Sequence, residues 1–117
     1  MSTIFHRIID RELPADIVFE DDQVIAFRDI APQAPVHVLF VPKTDIATLN
    51  ALPDDGGAAI AGRLVTSAVA YAKSAGLADD GYRLVVNCNA HGGQTVYQLH
   101  LHLLGGAPLG PFGTGRG

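Results

Sequence analysis

Polar side chains alternate with leucines near the end of the chain, in the segment GGQTVYQLHLHLLGG at residues 92–106. On a β-strand, successive side chains point to opposite faces, so Gln98, His100 and His102 would share one face and the leucines the other. Neighbours at i and i+2 stand about 7 Å apart, close enough for two imidazoles to bind one phosphate group. A neutral imidazole is also a competent nucleophile, because its reference pKa is about 6.5.

Two other interpretations of the histidine pair remain open on this pattern alone. Histidines on the polar face of a half-buried strand can be solvated surface residues, and pairs at this spacing also ligate zinc. The pairs Gly92-Gly93 and Gly105-Gly106 on either side favour a binding site. Glycine lets the backbone and a ligand approach each other closely.

Hydrophobic spacing predicts two helices that would support this strand. Apolar residues at helical spacing predict a short helix over residues 3–12 with Thr3 as its N-cap. A longer amphipathic helix is predicted over residues 54–76, beginning at Asp54 or Asp55 and ending before Gly76.

The rest of the chain predicts strands and an irregular tail. Short β-rich runs bounded by turn residues occur at 17–19, 24–27, 36–41, 83–87 and 95–104. Residues 105–117 hold six of the 13 glycines and two prolines, which is typical of irregular structure. Together the pattern indicates one α+β domain over residues 1–117 with a largely antiparallel sheet.

Composition narrows the class of ligand and the compartment. The net charge is −4, and the 8 lysines and arginines form no cluster, which argues against binding a nucleic-acid backbone. A small nucleotide remains possible, although no GxxxxGK phosphate loop occurs. With Cys88 as the only cysteine, no apolar stretch long enough to span a membrane and no secretory signal, a cytoplasmic protein is expected.

The segment at 92–106 resembles the signature of the histidine triad (HIT) family, in which three histidines alternate with apolar residues. The segments TIFHRIIDRELPADIVFEDD, IAFRDIAPQAPVHVLFVPK and GYRLVVN are similar to the Hint branch of that family, the purine nucleoside phosphoramidases. The resemblance implies a HIT-like α+β fold: a five-stranded antiparallel sheet with one long helix and a short N-terminal helix, pairing into a two-fold dimer. It also implies hydrolysis of a P–N bond at a nucleoside 5′-monophosphate, without a metal or other cofactor.

The resemblance further assigns roles to single residues. His100 falls on the family's nucleophile, and His102 on the histidine that contacts the phosphate or the leaving group. His37 matches an additional upstream histidine. Thr95 lies where relatives carry a small residue near the leaving group, and Asn87 where an asparagine lies near the ribose-phosphate. Backbone N–H groups near Gln94 and Thr95 would meet the charge that develops on the phosphate oxygens.

The family's nucleoside pocket falls on a mostly apolar set that would otherwise be interpreted as core: Ile4, Phe5, Ile8, Phe27, Asp29, Ile30 and Leu39. Within this set, the Asp29 carboxylate would accept hydrogen bonds from the ribose hydroxyls.

Three departures from the family pattern bear on activity. Gln98 replaces the first triad histidine, a position that in the family supplies a backbone carbonyl to orient the nucleophile. Asp45 stands where relatives often carry a histidine, and the tail after Gly106 lacks an arginine common there.

The expected function is purine nucleoside 5′-phosphoramidate hydrolysis through a nucleotidyl-histidine, with a purine nucleotide and a second copy of the chain as partners. The alternatives are a nucleotide-binding sensor or scaffold with weak hydrolysis, a dinucleoside polyphosphate hydrolase, and a metalloprotein that uses His37, His100 and His102.

Overall fold

Five strands form one antiparallel sheet in the computed structural model, which describes residues 2–113. In chain order the strands are β1 (Ile17–Glu20), β2 (Val24–Arg28), β3 (Val36–Pro42), β4 (Tyr82–Val85) and β5 (Leu101–Gly105). Across the sheet they run β1-β2-β3-β5-β4, and each neighbouring pair is antiparallel. With α1 (Ile4–Ile9) and the long helix α2 (Gly57–Ser74), this confirms the α+β fold expected from the sequence.

Helix α2 covers one face of the sheet with a stripe of small and branched apolar side chains. Leu64, Ala68 and Ala72 from the helix are fully or almost fully buried there. The strand side of this core includes Val24, Ala26, Val38, Phe40, Leu99, Leu101 and Leu103. The leucines of the histidine segment therefore do bury beneath the long helix, as their alternation predicts.

The beginning of α2 differs from the prediction. Neither Asp54 nor Asp55 caps the helix, because a turn places Gly56 at the N-cap with a φ of 89°, a conformation that favours glycine. The end agrees with the prediction, since Gly76 follows the helix with a φ of 78°.

Helix α1 covers only part of the opposite face. Thr3 caps it as predicted, with its Oγ1 accepting hydrogen bonds from the N–H groups of Phe5 and His6. The helix ends at Ile9 and does not continue to residue 12, because the chain turns at Arg11, where φ is +63°. Phe5 and Ile8 pack against the strands in a second apolar cluster with Ile25, Phe27, Leu39 and Val41.

The histidine segment is a strand over only part of its predicted length. Strand β5 begins at Leu101 and not at Thr95, and β4 ends at Val85, before Asn87. Ahead of β5, the backbone bonds to the loop that follows β3, where the N–H of Leu99 donates to the carbonyl of Ile46. That loop takes the place of a partner strand, so residues 95–100 are irregular.

The predicted irregular tail begins one residue later than expected, because Gly105 belongs to β5. Residues 114–117 of that tail and Met1 lie outside the described residues. Within residues 2–113, neither helix is both long and apolar enough to cross a membrane.

Candidate active site

The part of the sheet that α1 leaves uncovered is the floor of a cleft of about 780 Å³. Strand pairing places matching side chains of β3, β5 and β4 on this face, because paired residues of antiparallel strands point the same way. Leu39, His102 and Val85 form one such row, and His37, Leu104 and Arg83 form the next. The volume lies within the range of small-molecule sites.

His100 stands just before β5 and is almost fully buried, with its ring edge against Phe5 at a centroid distance of 4.9 Å. Its Nδ1 lies 2.8 Å from the backbone carbonyl oxygen of Gln98. A carbonyl oxygen can only accept, so Nδ1 carries the hydrogen and donates it. In the neutral ring, the lone pair is then on Nε2.

A second chain of hydrogen bonds fixes the other two imidazoles. The backbone N–H of Gln33 donates to Nδ1 of His37 at 3.1 Å, so the hydrogen of neutral His37 is on Nε2. This Nε2–H donates to Nδ1 of His102 at 2.9 Å, which leaves His102 with its hydrogen on Nε2. The rings of His100 and His102 are 5.0 Å apart. The cleft therefore combines a lone pair on one imidazole with a hydrogen-bond donor on the next.

All three imidazoles are neutral at pH 7. Burial lowers the pKa of His37 and of His100, and in each case the Asp29 carboxylate partly opposes the effect. The Gln98 carbonyl also raises the pKa of His100. Burial together with the two neighbouring imidazoles lowers the pKa of His102 to about 4. Neutral rings suit nucleophilic attack and hydrogen bonding better than proton donation.

Asp29, His37 and His102 offer three possible metal ligands whose donor atoms all lie within 4.8 Å of one another. The hydrogen bond from Gln33 argues against metal binding there. A metal on Nε2 of neutral His37 would force the hydrogen onto Nδ1, where it would face the Gln33 N–H. The cluster fits a hydrogen-bonded pair of imidazoles beside a carboxylate better than a three-ligand metal site.

Gln98 does not present its side chain to the cleft. Its amide is fully buried: Oε1 accepts from the N–H of Ile46, and Nε2 donates to the carbonyls of Pro42 and Thr44. Strand alternation was the reason to place this side chain beside His100 and His102, and it fails because β5 begins only at Leu101. The backbone carbonyl of Gln98, in contrast, orients His100 as the family pattern implies.

The other predicted polar residues divide between the cleft and its support. Asp29, Asn87 and Thr95 line the cleft, and the Asn87 amide donates to the carbonyl of Gly92 at 2.7 Å. Gln94 is buried and does not line the cleft. Its Oε1 accepts from the N–H of Asn89, and its Nε2 donates to the carbonyls of Ala47 and Val96.

The predicted nucleoside-pocket residues also divide. Phe5, Ile8, Phe27 and Leu39 form the apolar cluster beside His100. Ile4 is half exposed and Ile30 is 97% exposed, so neither belongs to this cluster.

Several cleft residues had no role predicted from the sequence: Gln33, Arg83, His91 and Phe112. Arg83 could have been found, because Arg83, Val85 and Asn87 alternate as His100 and His102 do, and Asn87 was already a candidate.

The HIT domain family model matches residues 10–109 of this chain. The purine nucleoside phosphoramidase of Escherichia coli K12 is 53% identical over 115 residues, which cover 98% of this chain and 96% of that protein. Adenylylsulfatase HINT1 of Arabidopsis thaliana is 49% identical over 108 residues, 92% of this chain and 73% of that protein.

Solved structures agree with these sequence relatives. A HIT family hydrolase from Legionella pneumophila superposes with a TM-score of 0.85 at 50% identity, covering 92% of this chain and 95% of the other. A histidine triad protein from Clostridium difficile gives a TM-score of 0.89 at 38% identity, covering 94% and 95%.

Proposed function

The chain belongs to the HIT domain family, and on that basis we propose that it hydrolyses purine nucleoside 5′-phosphoramidates with His100 as the nucleophile. One observation carries the proposal: the Gln98 carbonyl fixes the hydrogen of His100 on Nδ1, so the lone pair is on Nε2. An oriented neutral imidazole is the group that a covalent mechanism at phosphorus needs.

In the first step, Nε2 of His100 attacks the α-phosphorus and forms an N–P bond as the substrate's P–N bond breaks. The departing nitrogen keeps the bonding electrons and takes a proton, which we assign to a path through the exposed Thr95 hydroxyl and solvent. His102 is not assigned as this acid, because its pKa of about 4 keeps it neutral in the free protein. In the second step, water attacks the same phosphorus, and its O–P bond forms as the bond between phosphorus and Nε2 of His100 breaks. A proton of the water passes to solvent, which leaves the nucleoside 5′-monophosphate and neutral His100.

Two hydrogen bonds would stabilise the nucleotidyl-His100 intermediate, one at its cationic imidazole and one at its phosphate oxygens. The ring of a nucleotidyl-His100 is cationic, so its Nδ1–H to Gln98 becomes a charge-assisted bond. The Nε2–H of His102 can donate to a non-bridging phosphate oxygen, because its Nδ1 is already occupied by His37. Asp29, which lines the cleft, would accept hydrogen bonds from the ribose hydroxyls. The family resemblance assigns the base to the cluster around Phe5 and Phe27, whose side chains are buried beside His100 and do not line the cleft.

We also propose that the protein is a cytoplasmic homodimer that binds a small nucleotide and no nucleic acid. Strand β4 is an edge of the sheet, and two-fold pairing at this edge would satisfy its unpaired backbone groups. The scattered lysines and arginines, with a net charge of −4, offer no basic surface for a polynucleotide.

The test is steady-state hydrolysis of adenosine 5′-phosphoramidate by the wild type and by His100→Ala. Losing the nucleophile should lower kcat by at least about a thousandfold, equivalent to about 4 kcal/mol of barrier, while AMP still binds. His6→Ala is the matched control, because His6 lies outside the cleft, against Asp45, and Thr3 can still cap α1 without it. If His100→Ala kept more than about a tenth of the activity, a nucleotide-binding module with incidental hydrolysis would be the better description.

A further inference from the structure

Arg83 lies at one end of a row of side chains that crosses the floor of the cleft. It pairs with Leu104 on β5, Leu104 pairs with His37 on β3, and the N–H of Asp29 donates to the His37 carbonyl. Neighbouring strands are about 4.8 Å apart, so the backbones of Asp29 and Arg83 are about 14 Å apart. A carboxylate and a guanidinium therefore stand at opposite ends of the same cleft.

Arg83 is the only lysine or arginine among the described cleft residues, and it is not paired with the Asp29 carboxylate at the other end. The other lysines and arginines of residues 2–113 lie outside the lining, and Asp29 is its only carboxylate. One guanidinium nitrogen of Arg83 donates to the carbonyl of Gly110 at 2.8 Å, which holds the side chain beside the tail. Within residues 2–113, no carboxylate lies within ion-pair distance of it. Within the part of the chain that the structure describes, the rest of the guanidinium fork makes no side-chain hydrogen bond and can donate to a ligand.

The direction of the reaction brings the leaving group towards this arginine. This step rests on the proposed function, in which Nε2 of His100 attacks phosphorus and the leaving group departs on the opposite side. His100, His102 and Leu104 follow one another at two-residue intervals along the cleft floor. A leaving group that departs along this floor passes His102 and reaches Leu104, and Arg83 is the neighbour of Leu104 across the sheet.

We propose that Arg83 is a specificity residue that binds an anionic group, a carboxylate or a phosphate, carried by the leaving amine. Guanidinium matches both anions through two parallel N–H···O bonds. The half-buried floor around Leu104 and Val85 strengthens such a contact relative to bulk water. The preferred substrates are then nucleoside phosphoramidates whose amine carries an acidic substituent close to the nitrogen.

The experiment compares adenosine 5′-phosphoramidates of glycine, of glycinamide and of aminomethylphosphonate. In each, one CH2 group separates the nitrogen from a small terminal group, which is a carboxylate, a neutral amide or a phosphonate. The wild type should favour the glycine compound over the glycinamide compound by about tenfold in kcat/KM. Arg83→Met keeps the length of the side chain and should reduce the ratio to about one by slowing only the charged substrates. Arg83→Lys should keep part of the preference. The phosphonate arm separates a phosphate preference from a carboxylate preference.

Two controls separate this proposal from a structural role and from the proposed reaction. Arg63→Met removes a cation outside the cleft, one that pairs with Asp21, and should leave the ratio unchanged. Calorimetric binding of the glycine and glycinamide compounds to His100→Ala, with and without Arg83→Met, measures the same preference without catalysis. An equal ratio in wild type and Arg83→Met, or equal slowing of charged and neutral substrates, would overturn the assignment. Absence of turnover with the binding preference intact would contradict the proposed reaction alone.

Discussion

Gln98 replaces a histidine of the family motif, and the structure indicates what its side chain is needed for. Its amide makes three hydrogen bonds to the end of β3 and the loop that follows it: one to Pro42, one to Thr44 and one to Ile46. Gln98→Met keeps the volume but leaves those three backbone groups without this partner. A buried group left unsatisfied costs about 1–3 kcal/mol, so for the three groups a loss of about 3–9 kcal/mol of unfolding free energy is expected. That is a large share of the stability of a small domain.

Gln98→His should be milder. An imidazole offers one donor and one acceptor, so at least one of the three bonds is lost, at about 1–3 kcal/mol. The carbonyl that orients His100 belongs to the backbone and is retained. We therefore expect kcat to change by less than about tenfold, which is about 1.4 kcal/mol of barrier. Burial would hold the new imidazole neutral, so the pH–rate profile should gain no limb above about pH 6.5.

Urea unfolding gives the stability change, and steady-state kinetics on adenosine 5′-phosphoramidate from about pH 5 to 9 gives the catalytic one. Nitrogen NMR shifts of His100 report directly whether its hydrogen stays on Nδ1. Gln23→Met is the matched control, because Gln23 is exposed and its stability should change by less than about 0.5 kcal/mol. A gain of a hundredfold or more in kcat for Gln98→His would refute this reasoning, since the natural glutamine would then be crippling the site. So would a Gln98→Met protein as stable as the wild type.

Four further outcomes follow from the charge state of the site, from the absence of a metal in the proposed reaction and from the sheet edge. Activity should be constant above about pH 7 and should fall in acid, because the lowered pKa of His100 keeps the nucleophile neutral down to pH values below about 6.5. A rise of activity in acid would contradict this. The free energy of unfolding should be highest above pH 6.5 and should decline towards pH 4, because unfolded His102 binds a proton more readily than folded His102, whose pKa is about 4. Thermal melting measures this decline, and His102→Gln should make it shallower. Activity should survive EDTA, and restoration of lost activity by zinc would favour the metal interpretation. Light scattering should give about twice the 12.3 kDa chain mass at micromolar concentrations, and a monomer mass would exclude the dimer.

Much of the fold is predictable because local patterns agree with the tertiary structure. The Thr3 cap, the apolar stripe of α2 and the leucines of β5 each bury the face that their spacing indicates. The predicted start of α2 was wrong. Asp54 and Asp55 are typical N-cap residues, but the helix begins after a turn that uses the positive φ of Gly56.

The site was less predictable because its supporting contacts come from distant parts of the chain. Alternation fits residues 95–100 as well as it fits β5, and only the loop at 42–46 decides that they are irregular. The same loop explains why the Gln98 side chain faces the interior. Alternation along β4 places Arg83 on the same face as Val85, but its position opposite Leu104 depends on the register between β4 and β5, which sequence spacing alone does not fix.

The proposed mechanism requires a covalent bond between His100 and the nucleotide, and mass spectrometry after a rapid quench in acid or denaturant detects that bond. Mixing the protein with excess adenosine 5′-phosphoramidate and quenching within the first turnover should give a chain heavier by one adenylyl group. Because acid hydrolyses phosphohistidine-type bonds, the peptide mapping is done on the sample quenched in denaturant at alkaline pH. The added mass is expected on the peptide that contains His100 and should be absent from His100→Ala. An adduct on His37 or His102, or turnover with no adduct at any time, would contradict it.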